Sequence, residues 1–438
     1  MVTFMAYALV ATFLVLIMTK KLSPFAALAS VPLLFGIAGQ LFGLWDVNLG
    51  EAALEGLKTT STTAIMLLFA VLFFTLMIDA GLFDPLSNAM IRFAKGDPLK
   101  VMMATVILSA GVSLNGDGTT TMIIVCSAFV PIYKKLKMSM LDLAVLTILS
   151  HSVLNLLPWG GPTARVITVL NLNESEVLRG LVPMMIAATI YMVVVAYFMG
   201  KKERKRLGIM DFTDEMLLEM TTITDPELQA IRRPKLLWIN FILTAAVIIL
   251  LIMGTIPSAI LFIVGMALGL IINYPNLKDQ RARIEANLPD AGQVSMVVIA
   301  AGIFMGVLSG TGMNDAIANS LTAVIPSSMG SYWGLIVAIL SAPGTFFLSN
   351  DAFYYGVLPV LAESGAQYGF TPLQLGFASL MGQAFHLLSP LVPFIYVLLR
   401  MTDVDMGQWQ KKSALYAIGI FIIYVVVGIV FGLMPLSV

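Results

Sequence analysis

The sequence predicts an all-α polytopic membrane protein with two inverted-topology repeats, about ten transmembrane helices, two re-entrant hairpins and two discontinuous helices. The first observation is composition, because 59% of the 438 residues are hydrophobic and only 11% are charged. Soluble domains are about 25% charged. The second observation is a set of apolar segments of spanning length, and the third is a match between the two halves of the chain. The net charge of zero gives no indication of a nucleic-acid partner.

Ten apolar segments are long enough to cross a membrane, because a spanning helix needs about 20 mostly apolar residues. The candidate spans are residues 2–19, 25–43, 62–81, 140–171, 180–200, 236–253, 257–273, 292–311, 371–399 and 413–434. Lys20 and Lys21 follow the first segment rather than precede it. We therefore predict a first transmembrane helix there and no cleavable signal peptide.

Two further apolar segments, residues 101–133 and 332–362, are interrupted at their centres by polar and glycine residues. If each is a hairpin that enters and leaves the membrane on one side, nearly all Lys and Arg residues fall on the predicted cytoplasmic side. Lys58 and Arg179 fall outside, and Arg165 falls within the membrane. This asymmetry follows the positive-inside rule. It predicts external termini in what we expect is a bacterial plasma (inner) membrane.

The two halves repeat short motifs at nearly constant spacing. "GLFDPLSN" (81–88) and "GMNDAIAN" (312–319) share a pattern, and "ILSA" occurs at 107–110 and 339–342. Asp117 and Asp351, and the only two histidines, His151 and His386, recur at nearly the same offset. Because one hairpin opens inward and the other outward, the repeats are predicted to be inverted, as in secondary transporters.

These observations divide the chain into three parts. Residues 1–200 are the predicted first repeat, with its hairpin at 101–133 and its broken helix at 140–171. Residues 236–438 are the second, with its hairpin at 332–362 and its broken helix at 371–399. Residues 201–235, which contain "GKKERKRLG" and "DEMLLEM", are predicted to be a cytoplasmic linker with an interfacial helix.

Four polar interruptions lie at membrane depth. They are the hairpin tips "SLNGDGTTT" (113–121) and "LSNDAFYYG" (348–356), and the helix breaks "NLLPWGGPTAR" (155–165) and "HLLSPLVP" (386–393). Irregular backbone is tolerated there only when it is buried in protein or lines a cavity. Freed carbonyls suit cations, and helix N-termini attract anions. The interruptions therefore predict a binding site for an anion together with cations.

Asp117 and Asp351 are the candidate metal or proton ligands. A charge at the bilayer centre costs about 3 kcal/mol or more and usually marks function. Two carboxylates would repel a bare polyanion, so they suggest that protons or a hard cation such as Mg²⁺ or Ca²⁺ travel with it. The alternative is that each carboxylate caps the second helix of its hairpin. Asp79, Asp84 and Asp315, which lie nearer the span ends, are predicted to be helix-end caps.

Arg165 and His386 are the candidate basic groups. The guanidinium fork of Arg165 fits a substrate carboxylate, and the alternative is an internal salt bridge to Asp117. The histidines titrate in the range that suits proton transfer, and the alternative is a buried hydrogen-bonding role. His386 lies closer to its break than His151 and is preferred.

The remaining candidates are neutral residues at the four interruptions. Their alternative role is to satisfy the backbone of the broken helices. They are Asn115, Thr119, Thr120, Gly160, Gly161, Thr163, Ser349, Asn350 and Ser389.

At these motifs the sequence resembles the CitMHS family of citrate–metal:proton symporters, through "GDGTTT" (116–121), "NLLPWGGPTAR", "LSNDAFYYGVLPVLAE" (348–363) and "HLLSPLVP". The resemblance implies the ion transporter superfamily fold, probable homodimers and an elevator-type motion. It also implies proton-driven uptake of citrate complexed with a divalent cation, with no permanently bound cofactor. It assigns the site to residues 113–121, 160–165, 349–351 and 386–390.

Charge arithmetic agrees with this implication. Citrate carries about −3 near pH 7, and about −1 with one divalent cation. One Arg165 and two half-helix N-termini suit that net charge. The competing interpretation within transport is a sodium-coupled di- or tricarboxylate carrier without bound metal. An intramembrane enzyme is disfavoured, because H-E-x-x-H, G-x-S-x-G and any Cys/His cluster are missing from the sequence.

Overall fold

The computed structural model describes residues 1–210, 212–213, 215–216, 221, 225–324 and 327–438, with the backbone alone at 321, 322, 324, 327 and 328. Every regular element in these ranges is helical. The first half contains α1 (Val2–Met18), α2 (Pro24–Leu41), α3 (Leu49–Asp79), α4 (Asp84–Ala94), α5 (Pro98–Ser113), α6 (Gly118–Lys135), α7 (Met140–Leu154), α8 (Gly161–Leu170) and α9 (Glu174–Leu207).

The second half repeats this order. A short helix, α10 (Pro226–Ile231), and a 3₁₀ turn (Pro234–Leu236) precede it. The later elements are α11 (Leu237–Met253), α12 (Ser258–Asn273), α13 (Leu277–Gly310), α14 (Met313–Val324), α15 (Ser327–Gly330), α16 (Trp333–Phe347), a π-helix (Ala352–Val357), α17 (Leu358–Gln367), α18 (Pro372–Leu380), α19 (Gln383–His386), α20 (Pro393–Thr402) and α21 (Met406–Val430).

The predicted fold class is confirmed. Six helices of the described chain are long and apolar enough to cross a membrane, namely α2, α3, α9, α11 with its 3₁₀ turn, α13 and α21. The remaining predicted spans correspond to the shorter apolar helices α1 and α12 and to the two broken helices. Each half then crosses five times if its hairpin does not cross. An odd number of crossings makes the second repeat start on the opposite side, with inverted topology.

The two hairpins occupy matching places. α5 and α6 form the first, and α16 with the π-helix and α17 forms the second. α5 has 16 residues and α16 has 15, so their lengths are about 22–24 Å. The first arms of the two hairpins thus match in length to within one residue.

The repeat extends to individual hydrogen bonds between each hairpin and the broken helix after it. The Ser109 hydroxyl donates to the Thr147 carbonyl over 2.8 Å, and the Ser341 hydroxyl accepts from the Gly382 amide over 2.9 Å. One turn further along, Ser113 and Thr345 each bond to a histidine of the break. Hairpin and broken helix are therefore joined at matching positions in both halves, although the donors and acceptors differ.

Two long helices, α3 and α13, pack against each other through glycines. A Cβ atom on Gly56 would lie 1.9 Å from the Gly302 carbonyl oxygen, and one on Gly306 would lie 2.2 Å from the Ala52 oxygen. Small residues allow this close backbone approach in membranes. The predicted spans 62–81 and 292–311 were too short, because helix-forming polar residues continue both helices back to Leu49 and Leu277.

Two other expectations need correction. Asp79 and Asp84 were predicted to be caps, which is wrong: Asp79 bonds Arg283 and Asn287, and Asp84 pairs with Arg232 over 2.9 Å. Asp315 lies in the first turn of α14.

The linker begins later than predicted, since α9 continues to Leu207. Residues 214 and 217–220 of its "DEMLLEM" motif lie outside the described residues. The boundaries 1–200, 201–235 and 236–438 stay a proposal.

Candidate functional site

The four interruptions are connected to one another by direct contacts. Trp159, in the first break, donates its indole N–H to the Leu114 carbonyl at the first hairpin tip over 2.8 Å. Phe394, after the second break, lies against Gly118 of the same tip. The second tip contacts both breaks, through Arg165 and through Gln383. The structure therefore brings the predicted segments together in one site.

A close backbone contact within the first break fixes its conformation. A Cβ atom on Gly160 would lie 2.0 Å from the Asn155 carbonyl oxygen, so only glycine fits there. The Thr163 hydroxyl donates to the Leu156 carbonyl over 2.7 Å, which assigns it the alternative, backbone-satisfying role. Because Gly160 has no side chain to cap α8, the positive end of that helix is open at Gly161.

The second break is stabilised differently. The buried Ser389 hydroxyl accepts from the Leu391 amide over 3.2 Å, and Gln410 of α21 donates to the Leu388 carbonyl over 2.8 Å. α20 then begins at Pro393 with Val392 before it, which has no capping side chain. Ser389 thus supports the local backbone, and a second helix N-terminus opens at the break.

Arg165 forms an ion pair between the two repeats within the candidate site. Its Nε donates to Asp351 Oδ1 over 2.7 Å, and one terminal nitrogen donates to the Gly161 carbonyl over 2.6 Å. The side chains are 17% and 16% exposed, so the pair is neither sealed nor fully solvated. The alternative role of Arg165, an internal bridge to Asp117, is wrong, because Arg165 pairs with Asp351 at the tip of the second hairpin.

The first hairpin tip is capped by its own side chains. Asp117 accepts from the amides of Thr119 and Thr120 over 3.3 and 2.6 Å, as an N-cap of α6 does. The Asn115 side-chain oxygen accepts from the Asp117 amide over 2.5 Å. The Asn115 amide nitrogen is buried without a hydrogen-bond partner in the described structure, and Thr119 is exposed.

The second hairpin tip is differently organised. Ser349 Oγ accepts from the Ala352 amide over 3.2 Å, so Ser349 supplies the cap and Asp351 does not. Asn350 accepts from Gln383 Nε2 over 3.3 Å. The same nitrogen donates to the Tyr354 hydroxyl over 2.6 Å.

Sequence reasoning missed three members of this site. Gln383 and Tyr354 join the second break to the second tip, and the Tyr355 hydroxyl is buried with no partner among the residues described. Tyr354 and Tyr355 belong to the "NDAFYYG" stretch, and Gln383 lies three residues before His386. A polar side chain one helical turn from a candidate histidine was the available signal.

The two histidines have the same tautomer and are both buried, with His386 5% and His151 0% exposed. His386 Nδ1 donates to the Thr345 carbonyl over 2.6 Å, so Nε2 carries the lone pair of the neutral ring. His151 Nδ1 donates to Ser113 Oγ over 2.9 Å, because that hydroxyl already donates to the Ser109 carbonyl. His151 is fully buried, and its Nε2 has no partner within the described chain.

Comparison with known proteins agrees with this architecture. The family model described as citrate transporter, CitMHS, matches residues 13–382. A Bacillus subtilis (strain 168) protein named citrate transporter is 45% identical over 433 residues, or 99% of each chain. Another, from the same organism and named Mg(2+)/citrate complex secondary transporter, is 37% identical over 440 residues and 100% of each chain.

A solved structure shares the fold at low sequence identity. It is the Alcanivorax borkumensis YdaH transporter, described as having an unusual topology, with a TM-score of 0.58 and 12% identity over 87% of this chain and 88% of that one. Both the family and the named relatives are transporters and not enzymes. The chain therefore belongs to the CitMHS family of citrate transporters.

Proposed function

We propose that this protein is a secondary active transporter that takes up citrate complexed with Mg²⁺ or Ca²⁺, coupled to protons, by an elevator mechanism. The observation that carries the proposal is the Arg165–Asp351 pair, which joins a helix break of one repeat to the hairpin tip of the other. Its partial exposure leaves it open to a competing anion.

The proposed binding step is an exchange of carboxylates. A citrate carboxylate competes with Asp351 for the guanidinium, whose planar fork suits bidentate recognition. Asp351 is then free to face the metal of the complex or to take up a proton. Separating a buried pair without replacement is costly, so Asp351 opens only when an anion takes its place.

The rest of the anion's charge meets helix N-termini. α8 and α20 begin at the two breaks without capping side chains, so each presents an uncapped positive dipole end. Together with Arg165 they suit a complex of net charge about −1, as citrate with one divalent cation carries.

The proposed metal comes with the substrate. No group of three or more His, Cys, Asp or Glu side chains capable of holding a metal ion is found among the described residues. Citrate oxygens would then supply most ligands, with Asp351, Asn350 or Ser349 completing a hard, oxygen-rich shell. The name of the relative that carries the Mg²⁺–citrate complex supports the same substrate form.

His386 is the proposed proton carrier. Its Nδ1 is committed to Thr345, which leaves Nε2 as the basic nitrogen on a residue of the second break. Protonation there would add a positive charge close to the Arg165–Asp351 pair and would favour binding of an anion. Proton and substrate would thus bind to the same conformation.

The proposed moving unit consists of the hairpins and broken helices, which are joined by the contacts of Ser109, Ser113, Ser341 and Thr345. The proposed scaffold contains the closely packed α3 and α13. A homodimer through the scaffold, in a bacterial inner membrane with external termini, completes the proposal.

The test is labelled citrate uptake into proteoliposomes under imposed gradients, for wild type, Arg165→Lys and Arg400→Lys. Arg400 is a matched control, since it is exposed near the end of the other post-break helix. We expect uptake to require both Mg²⁺ or Ca²⁺ and a proton gradient, Arg165→Lys to reduce it about 30-fold, and Arg400→Lys to leave it within twofold. Metal-independent citrate uptake driven by sodium would replace this proposal with the sodium-coupled carrier.

A further inference from the structure

A cavity of about 500 Å³ lies outside the candidate site, between the first hairpin and helices α3, α4 and α11. Its walls are mostly apolar side chains, among them Phe74, Leu86, Phe241 and Ile248. Gly111 and Leu114, at the end of α5 and in the first hairpin tip, form one side of it. A ligand in this cavity would therefore contact the first hairpin without touching the Arg165–Asp351 pair.

One hydroxyl inside the cavity has no partner. Thr244 lines it and is 8% exposed, and its Oγ1 makes no hydrogen bond to any part of the described chain. Burying a hydroxyl in apolar surroundings is unfavourable unless it is hydrogen-bonded. We therefore expect a ligand of this cavity to be mostly apolar and to carry a hydrogen-bond acceptor for the Thr244 hydroxyl.

The residues before Thr244 on the same helix describe the mouth of the cavity. Trp238 and Phe241 line it and are 72% and 55% exposed, which gives it an open apolar rim. Tryptophan is typical of the membrane–water boundary. Thr244 lies six residues beyond Trp238, about 9 Å along the helix, and so within half the thickness of a hydrocarbon core of about 30 Å.

A positive charge precedes this rim. Lys235 is exposed and lies two residues before Leu237, the first residue of α11 and a lining residue of the cavity. The order along the chain is then a cation, a boundary aromatic, an apolar rim and a buried hydroxyl inside an apolar cavity. A phospholipid has the matching order of a phosphate, a glycerol ester and an acyl chain.

We propose that this cavity binds one anionic phospholipid, with its phosphate beside Lys235, an ester oxygen accepting from Thr244, and an acyl chain packed against Gly111 and Leu114. The inference does not depend on which anion the protein transports. It places a bound lipid against the tip of the first hairpin.

The test uses the full chain in phosphatidylcholine nanodiscs that contain a small fraction of phosphatidylglycerol with a photoreactive group at mid-chain. We expect cross-linked peptides from α4, α5 and α11 in wild type, and at least a fivefold loss in Ala245→Phe, which fills the cavity. Ala246→Phe is the matched control, since Ala246 is the next residue, is exposed and does not line the cavity. Equal labelling of both variants, or labelling spread evenly over all exposed helices, would overturn the proposal.

A second variant keeps the proposal testable if Ala245→Phe does not fold. Lys235→Gln should lower the preference for phosphatidylglycerol over phosphatidylcholine at the α11 peptides about threefold. Lys201→Gln, an exposed lysine at the far end of α9, should not change it. An unchanged preference in Lys235→Gln would contradict a phosphate at this position.

Discussion

The two hairpin tips contain an aspartate at matching places, yet the two side chains have different roles. Asp117 has an extended backbone, with φ −104° and ψ 125°, and accepts from two amides of its own helix. Asp351 already has helical angles, φ −63° and ψ −45°, and pairs with Arg165 of the other repeat. An N-cap needs non-helical backbone angles, so Asp351 cannot serve as one.

This comparison shows that a repeat in sequence need not be a repeat in chemistry. Ser349 supplies the cap at the second tip, and the π-helix that follows starts one residue after Asp351. π-turns are frequent at functional sites. We infer that the first tip is mainly structural and that the second carries the charge that responds to substrate.

The largest expected effect comes from removing the two charges separately. Asp351→Asn should reduce citrate uptake about 100-fold, because it leaves Arg165 unpaired and removes the proposed metal or proton group. Asp117→Asn should stay within about threefold, because asparagine caps as well as aspartate. Uptake into proteoliposomes measures both.

The control for this prediction is Asp290→Asn, an exposed residue of α13, which should transport like wild type. An equal loss of citrate uptake in Asp117→Asn and Asp351→Asn would contradict different roles for the two aspartates and would give both carboxylates a role in coupling.

A second prediction tests how closely the first tip is fitted. Gly118→Ala would bring a Cβ atom to 2.5 Å from the ring of Phe394, so either the tip or the Phe394 ring must shift. We expect about a tenfold loss of citrate uptake, measured as the initial rate per folded transporter.

Gly292→Ala is the matched glycine control. It lies in α13 with no atom within 4 Å of the added Cβ, and should be neutral. An unchanged rate in Gly118→Ala would show that the first tip tolerates displacement from Phe394.

The two histidines are also expected to differ in function. His386→Gln should lower uptake about fivefold under an imposed proton gradient and should flatten its dependence on pH. His151→Gln should leave the pH dependence unchanged, because its ring bonds to Ser113 of the first hairpin, whose tip we infer to be structural. The measurement is the rate of uptake against external pH at a fixed metal concentration. A flattened profile in His151→Gln alone would assign the proton to the first break.

Much of the candidate site could be predicted, because charged residues and helix breaks are unusual in segments that cross a bilayer. A carboxylate, an arginine or paired glycines within an apolar run are expensive unless they are used, so Asp117, Arg165, Asp351 and the two breaks could be identified from the sequence. The helix spans followed from the same reasoning.

The contacts between side chains of the two repeats could not be predicted in the same way. Arg165 and Asp351 are 186 residues apart, and only the packing of the two repeats decides that Arg165 meets the second tip and not Asp117. Gln383, Tyr354 and Tyr355 carry no charge, so nothing in an apolar run distinguished them from packing residues. The early starts of α3 and α13 were missed because their first turns are polar.

The smallest expected effect concerns stability and isolates the structural role of the first tip. Asp117→Ala removes the acceptor for the Thr119 and Thr120 amides, and loss of an N-cap costs about 1 kcal/mol. Asp117→Asn retains an acceptor and should cost only a few tenths. Thermal unfolding in the same detergent, followed for both variants, should therefore rank wild type and Asp117→Asn together above Asp117→Ala. If Asp117→Asn were as unstable as Asp117→Ala, the charge itself would stabilise the tip, and the first aspartate would resemble the second more than its hydrogen bonds indicate.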